Sequence, residues 1–167
     1  MLNDGGLSEG DMAPDVTLDT SEGRSVKLSD LRGQRLVLYF YPRDDTPGCT
    51  QEARDFTDLS PQFAAADTRI IGVSRDSVAS HTKFADKFAI PFALASDGSG
   101  RVCEAFGTWV EKSMYGKKYM GIDRATFLID EEGRVVRSWR KVKASGHAAQ
   151  VLEVVHGLGR SEVESAR

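Results

Sequence analysis

Only two cysteines occur among the 167 residues, so no disulfide framework can organise this chain. It also lacks an excess of either charge: 22 lysines and arginines stand against 25 aspartates and glutamates, a formal net charge of -3. Without a basic surplus, nothing in the composition draws nucleic acid or an anionic membrane. No apolar run reaches the length of about 18 residues that spans a bilayer, which excludes a transmembrane helix. Residues 1–10 carry neither the basic patch nor the apolar stretch of a secretory signal. Few thiols and no export signal point to a reducing cytoplasm. Repeats, low-complexity tracts and linker-like stretches are missing too. One domain over residues 1–167 is therefore expected, with loose ends at about 1–8 and 161–167. What is present is ordinary for a globular chain: 40% hydrophobic and 28% charged residues. A chain of this length buries roughly 70% of its unfolded surface, enough for a core without staples.

Strand and helix patterns alternate along it. Val16–Leu18 and Ser25–Leu28 flank Ser21-Glu22-Gly23 and predict a small hairpin. Arg35–Tyr41 is a continuous apolar run, the pattern of a central strand buried on both faces. Ala53, Phe56, Leu59, Phe63 and Ala66 then recur at spacings of three and four, one face of a helix. Arg69–Ser74 reads as the next strand. Asp76 or Ser77 can cap a helix burying Val78, Phe84, Ala85 and Phe88. Phe92–Ala95 reads as a short strand and Ser99–Phe106 as a short helix. Residues 107–123 read as a long, irregular, glycine-containing stretch. Arg124–Asp130 and Arg134–Arg140 flank Glu131-Glu132-Gly133 as a second hairpin, and His147–Leu158 is the last helix. The order implies an α/β fold, a central mixed sheet with helices on both sides.

The segment richest in chemistry is Tyr39–Phe56. A buried strand ends at Pro42, a polar loop follows, and a helix starts near Thr46-Pro47. Threonine is a good N-cap and proline suits the first helical position, so Cys49 falls in the first turn, on the same face as Thr46. A thiolate there gains from the positive helix end and from unpaired N–H groups. Lowering a thiol pKa from ~8.5 to about 6 takes roughly 3.4 kcal/mol. A helix end supplies about 0.3–1 kcal/mol, whereas a cation at ~4 Å supplies on the order of 4 kcal/mol. An activated Cys49 thus needs an arginine or lysine beside it. The local pattern alone fits equally an ordinary helix start with a small, inert, buried cysteine.

Pro42-Arg43-Asp44-Asp45-Thr46-Pro47-Gly48-Cys49 resembles the Pro-x-x-x-Thr-x-x-Cys signature of peroxiredoxins. Its surroundings, with MYGKKYMGIDRATFLID and WRKVKASGHA further on, resemble the Q-type group, also called bacterioferritin-comigratory proteins. The similarity runs from about residue 8 to residue 159. The resemblance implies a thioredoxin-like fold with an N-terminal β-hairpin extension. It also implies thiol-dependent reduction of hydrogen peroxide or organic hydroperoxides to water or alcohol, through a sulfenic acid at Cys49. Thr46 would orient thiolate and peroxide, Pro42 would shield the sulfur, and Arg124, opening RATFLID, would supply the cation. No haem, flavin, metal or other cofactor is implied, and the resemblance favours a monomer.

The chain departs from the family where a resolving cysteine usually stands: Arg54 occupies one such position and Ala85 another. The remaining thiol, Cys103, lies three residues before Phe106 on the short helix, where a buried structural cysteine accounts for it better than a resolving role, which stays open. A one-Cys mechanism is the more economical expectation. Its reductant would be thioredoxin, glutaredoxin with glutathione, or another low-molecular-weight thiol. His81, His147 and His156 have no metal-ligand spacing with either cysteine. Gly116-Lys117-Lys118 is not a phosphate loop. It reads as a solvated loop near the site mouth; Trp109, Met114, Tyr115 and Tyr119 would line that mouth or a partner patch, with simple loop packing the commoner explanation. Two other functions compete. A thioredoxin-like disulfide oxidoreductase needs Cys-x-x-Cys where this chain has Cys49-Thr50-Gln51-Glu52. A non-enzymatic redox sensor or holdase would use the same Cys49 chemistry.

Overall fold

A computed structural model of the protein describes residues 7–165, with side chains through residue 158. Of the loose ends expected at about 1–8 and 161–167, residues 1–6 and 166–167 lie outside the described residues, and 161–165 belong to the last helix. Nine strands and four α-helices are found among the described residues. In chain order they are β1 (Thr17–Thr20), β2 (Ser25–Lys27), β3 (Arg35–Phe40), α1 (Pro47–Ala65), β4 (Thr68–Ser74), α2 (Val78–Phe88) and β5 (Ala93–Ser96). There follow α3 (Arg101–Ala105), β6 (Trp109–Met114), β7 (Lys117–Ile122), β8 (Ala125–Ile129), β9 (Val135–Trp139) and α4 (His147–Ser165). A 3-10 turn spans Leu28–Leu31.

Seven strands form a mixed sheet in the order β2-β1-β5-β4-β3-β8-β9. The pairs β3–β4 and β4–β5 are parallel, while β3–β8 and β8–β9 are antiparallel. All six residues of β3 are buried, as a strand covered on both faces requires. Its side chains alternate. Leu36, Leu38 and Phe40 enter one core with Leu28 of the 3-10 turn and with Val102, Cys103 and Phe106. Val37, Tyr39 and Tyr41 enter the other, with Ala53, Phe56 and Phe63 of α1, Phe84 of α2, and Val151 and Val155 of α4. The sheet thus carries α1, α2 and α4 on one face and α3 on the other, the mixed layered architecture that the sequence pattern implies.

Three segments differ from the sequence reading. Residues 107–123 are not irregular: β6 and β7 form a separate two-stranded hairpin. Its turn places Tyr115 at φ 52 and Gly116 at φ 79, the left-handed pair that a tight two-residue turn demands. Much of both strands is exposed, so no apolar alternation announces them. On α2 the buried face holds His81 and Phe84, while Val78 is exposed. The last helix continues past Leu158 to Ser165.

Candidate active site

The end of β3 and the start of α1 are joined by a short loop. The Tyr41 N–H still donates to Val73 O (3.0 Å), but Pro42 has no N–H and the ladder stops. Asp45 takes the left-handed region at φ 57, and Thr46 is extended, as a residue before proline must be. Pro47 then opens the helix with its φ already set. Thr46 sits at the N-cap position as expected, but its hydroxyl does not cap the helix. It donates instead to Arg43 O at 2.8 Å. The amides of Gly48 and Cys49 belong to the first turn, which has no intrahelical acceptor. Cys49 is buried, 2% exposed, with its sulfur at the positive end of a 19-residue helix.

Antiparallel pairing sets Phe40 opposite Ala125, so Arg124 stands beside the point where the chain leaves β3. Its Nη2 donates to Cys49 Sγ at 3.4 Å, and its Nη1 donates to Glu52 Oε1 at 2.7 Å. Gly48 leaves the room: a Cβ there would lie 3.1 Å from Arg124 Nη2. Cys49 and Glu52 are three residues apart on one buried helix face with Ala53 and Phe56. Burial acts against the Arg124 charge, yet Glu52 and Cys49 together hold the guanidinium more firmly protonated than usual. Glu52 is fully buried, and burial pushes its carboxyl up to about 7 against the pull of Arg124. The pair is therefore asymmetric: desolvation costs the carboxylate more than the one cation returns.

A second cluster ties the loop down. The Asp44 carboxylate accepts from Tyr41 Oη (2.6 Å) and Ser80 Oγ (2.7 Å), and its Oδ2 lies 2.8 Å from His81 Nδ1. His81 Nε2 donates to Ala95 O at 2.9 Å, and the Asp44 N–H donates to Asp76 Oδ2 at 2.7 Å. Burial works to raise the Asp44 carboxyl, but its hydrogen bonds to His81, Tyr41 and Ser80 outweigh it and hold it below the usual range. The loop is thereby fixed to α2 and to the ends of β4 and β5. At the open side, exposed Pro42 and Arg43 line a groove with Trp109, Lys112, Tyr119 and Met120. The hairpin thus forms a wall of this groove, while Met114 and Tyr115 stand exposed near its tip.

The AhpC/TSA family profile matches residues 9–138. The chain belongs to the AhpC/TSA family. It is 51% identical over 149 residues to Peroxiredoxin Bcp of Bacillus subtilis, covering 89% of this chain and 95% of that one. To Peroxiredoxin Bcp of Escherichia coli it is 41% identical over 146 residues, covering 87% and 94%. Among solved structures, the Xanthomonas campestris bacterioferritin comigratory protein superposes with a TM-score of 0.85 at 46% identity, covering 93% of this chain and 99% of that one.

For an AhpC/TSA chain, the placement of the second cysteine matters most. Cys103 is fully buried, but in the core on the opposite face of the sheet from Cys49. Its N–H donates to Asp97 Oδ2 at 2.8 Å, and burial followed by Asp97 pushes its thiol far above the ordinary range. Arg54 is exposed and Ala85 half-buried, both on the Cys49 side of the sheet. The residues that sequence reasoning missed are Glu52 and the Asp44–His81 pair. Glu52 had a signal: a charge at the third position after Cys49 must share the apolar face of α1. His147 is also buried, its Nε2 2.7 Å from Thr126 Oγ1, and burial lowers it to about 4. Among the described residues no cluster of His, Cys, Asp or Glu could hold a metal, and no helix is long and apolar enough to cross a membrane.

Proposed function

We propose that this chain is a thiol peroxidase in which the Cys49 thiolate attacks a hydroperoxide. The S–O bond forms as the O–O bond breaks. Sulfur becomes a sulfenic acid, and the leaving alkoxide or hydroxide takes a proton to give alcohol or water. The observation that carries this reading is the 3.4 Å contact of Arg124 Nη2 with Cys49 Sγ at a helix N-terminus. Arg124 and the Cys49 amide stabilise charge on the peroxide oxygens as it develops. Thr46, its proton committed to Arg43 O, keeps its oxygen lone pairs for a peroxide O–H. Pro42 borders the mouth and limits water at the sulfur. The apolar wall of Trp109, Tyr119 and Met120 suits an organic substituent on the peroxide. The similar Xanthomonas campestris protein has been studied for alkyl peroxide reduction.

The mechanism is of the one-Cys type. The separation of Cys103 from Cys49 by the central sheet supports this, and so do Arg54 and Ala85 where family resolving cysteines stand. An external thiol attacks the sulfenic acid to give a mixed disulfide and water, and a second thiol releases Cys49 as the thiol. Thioredoxin, glutaredoxin with glutathione, or another small thiol in a reducing cytoplasm fills that role for a monomeric enzyme. The test is intact mass after one equivalent of hydrogen peroxide, with free thiols trapped and peptides mapped. One added oxygen at Cys49, with Cys103 still alkylatable, is the expected result. Loss of two hydrogens with both thiols protected would make Cys103 a resolving cysteine, and no change at Cys49 would end the peroxidase reading. Arrest after one equivalent with every thiol reductant supplied would make the protein a sensor instead.

A further inference from the structure

Glu52 has no part in the reaction as described, yet it is the buried charge nearest in kind to the reacting one. Its Oε1 accepts from Arg124, while its Oε2 is buried without a hydrogen-bond partner. An ionised carboxylate with one oxygen orphaned in a dry site is costly, and a protonated one is much less so. Two groups, Asp55 and Tyr39, interact with it directly, and three others act on its partner Arg124. From α1 itself, Cys49 shares Arg124 with it and Asp55 repels it. From β3, Tyr39 stays neutral, its hydroxyl pushed well up by burial and then by Glu52. Lys112 on β6 interacts with Arg124 and Cys49, and His147 on α4, held neutral by burial, feels Arg124. One cation therefore serves two candidate anions, the Cys49 sulfur and the Glu52 carboxyl.

We propose that the Cys49 thiolate and the Glu52 carboxylate compete for the single guanidinium of Arg124, so that Glu52 is protonated beside the thiolate and releases its proton when Cys49 is oxidised. The inference rests on the peroxidase reading above. Over the whole site the step balances. Thiolate, Glu52 carboxylic acid and hydroperoxide give sulfenic acid, Glu52 carboxylate and alcohol. Sulfur loses two electrons to the O–O bond, and the proton released from Glu52 balances the one that the leaving alkoxide takes up. The negative charge that vanishes at sulfur reappears at Glu52, where Arg124 is now free to stabilise it. Reduction of the sulfenic acid runs the shift backwards. Glu52 is thus a positioning residue, acting through Arg124 to keep the net charge of a buried site constant while its redox state changes.

The experiment is infrared difference spectroscopy of the full chain at pH 7, before and after one equivalent of hydrogen peroxide, with the product checked by mass. The expected result is loss of a protonated-carboxyl band and gain of a carboxylate band. With a carboxyl poised near 7, its size should be about half a carboxyl per chain. Both changes should be absent in Glu52→Gln. The reduced Cys49→Ser protein, which has no thiolate, should start with a protonated band weaker by about that same half carboxyl and show no change with peroxide, and this arm holds even if Glu52→Gln folds poorly. One added oxygen at Cys49 with no carboxyl change would overturn the proposal and leave the peroxidase reading intact. No oxygen at Cys49 would overturn both.

Discussion

Replacing Arg124 by methionine removes the charge that contacts both Cys49 and Glu52, and the structure sets the scale of the loss. Unit charges 3.4 Å apart at an effective dielectric of ~20 interact by about 5 kcal/mol. The guanidinium spreads its charge over three nitrogens and keeps some exposure, so about 3 kcal/mol is a reasonable share at the reacting atoms. At about 1.36 kcal/mol per decade, the rate of Cys49 oxidation should fall roughly 10²-fold. Arg124→Lys keeps the charge but loses the fork that reaches sulfur and carboxylate together, and should fall roughly tenfold. The measurement is single-turnover oxidation by hydrogen peroxide, followed by stopped flow and mass. Stability must be controlled by pH, because methionine leaves Glu52 without a counter-ion. Its folded pKa, already raised to about 7 from 4.5, would rise further. A carboxyl with a raised folded pKa favours the folded state at low pH and loses that advantage as pH rises through the window between the two values. At pH 6 the variant should be folded and slow, and above pH 8 it should also be less stable. A loss below tenfold in well-folded Arg124→Met would refute the assignment of the cation.

Three further outcomes follow from the same geometry. Glu52 is raised from 4.5 to about 7 and His147 lowered from 6.5 to about 4, each a shift worth about 3 kcal/mol with opposite slopes between pH 4 and 7. Glu52→Gln should therefore gain stability as pH rises across that window, and His147→Gln should lose it. Parallel slopes for both variants in urea titrations would show that these two groups do not control the pH dependence. Cys103→Ser should keep turnover with an external thiol within about twofold while losing about 1 kcal/mol of stability, as buried-cysteine changes commonly do. Collapse of recycling in that variant would contradict the one-Cys mechanism. Gly72→Ala would set a Cβ 2.8 Å from Tyr39 Cζ and 3.0 Å from Leu94 Cδ2, so thermal unfolding should show a loss of about 1–3 kcal/mol. An unchanged melting temperature would mean that Tyr39 moves freely.

Most of the sheet was legible because its central strands are apolar without interruption, and a run such as Arg35–Tyr41 has few other places to go. The first turn of α1 was legible for a local reason: Thr46-Pro47 fixes both the extended residue and the helix start. Arg124 is different. It lies 75 residues from Cys49, and only β3–β8 pairing brings them together, so pattern alone could ask for a cation but not choose one. The resemblance to peroxiredoxins chose it. The β6–β7 hairpin escaped notice because Tyr115-Gly116 is an uncommon tight-turn pair and its strands are too exposed for period-two patterning. On α2, the apolar stripe was counted through Val78, whereas the buried face passes through His81, whose ring is satisfied by Asp44 and the Ala95 carbonyl. A polar residue that finds partners can hold a core position, and hydrophobic periodicity does not detect it.

Under the proposed function the two cysteines differ in reactivity although burial treats them alike. Cys49 is 2% exposed and Cys103 is not exposed at all, so both would be counted as inert core residues. What separates them is the charge placed beside each. Cys103 follows a helix start that is already satisfied: Asp97 accepts from the amides of Val102 and Cys103, and its carboxylate faces the thiol. An anion there blocks formation of a second anion. Cys49 follows a helix start whose threonine has turned its hydroxyl to Arg43 O, leaving the first-turn amides uncapped, and a guanidinium completes the set of donors around sulfur. The same residue type at the same helical location thus faces an aspartate in one case and an arginine in the other, which under the proposed function disarms the first and activates the second. The capping hydrogen bond that Thr46 forgoes would add to the stability of α1. Its absence leaves donors free at the sulfur, and the Asp44–His81–Asp76 cluster supplies the rigidity that the missing cap would have given the loop.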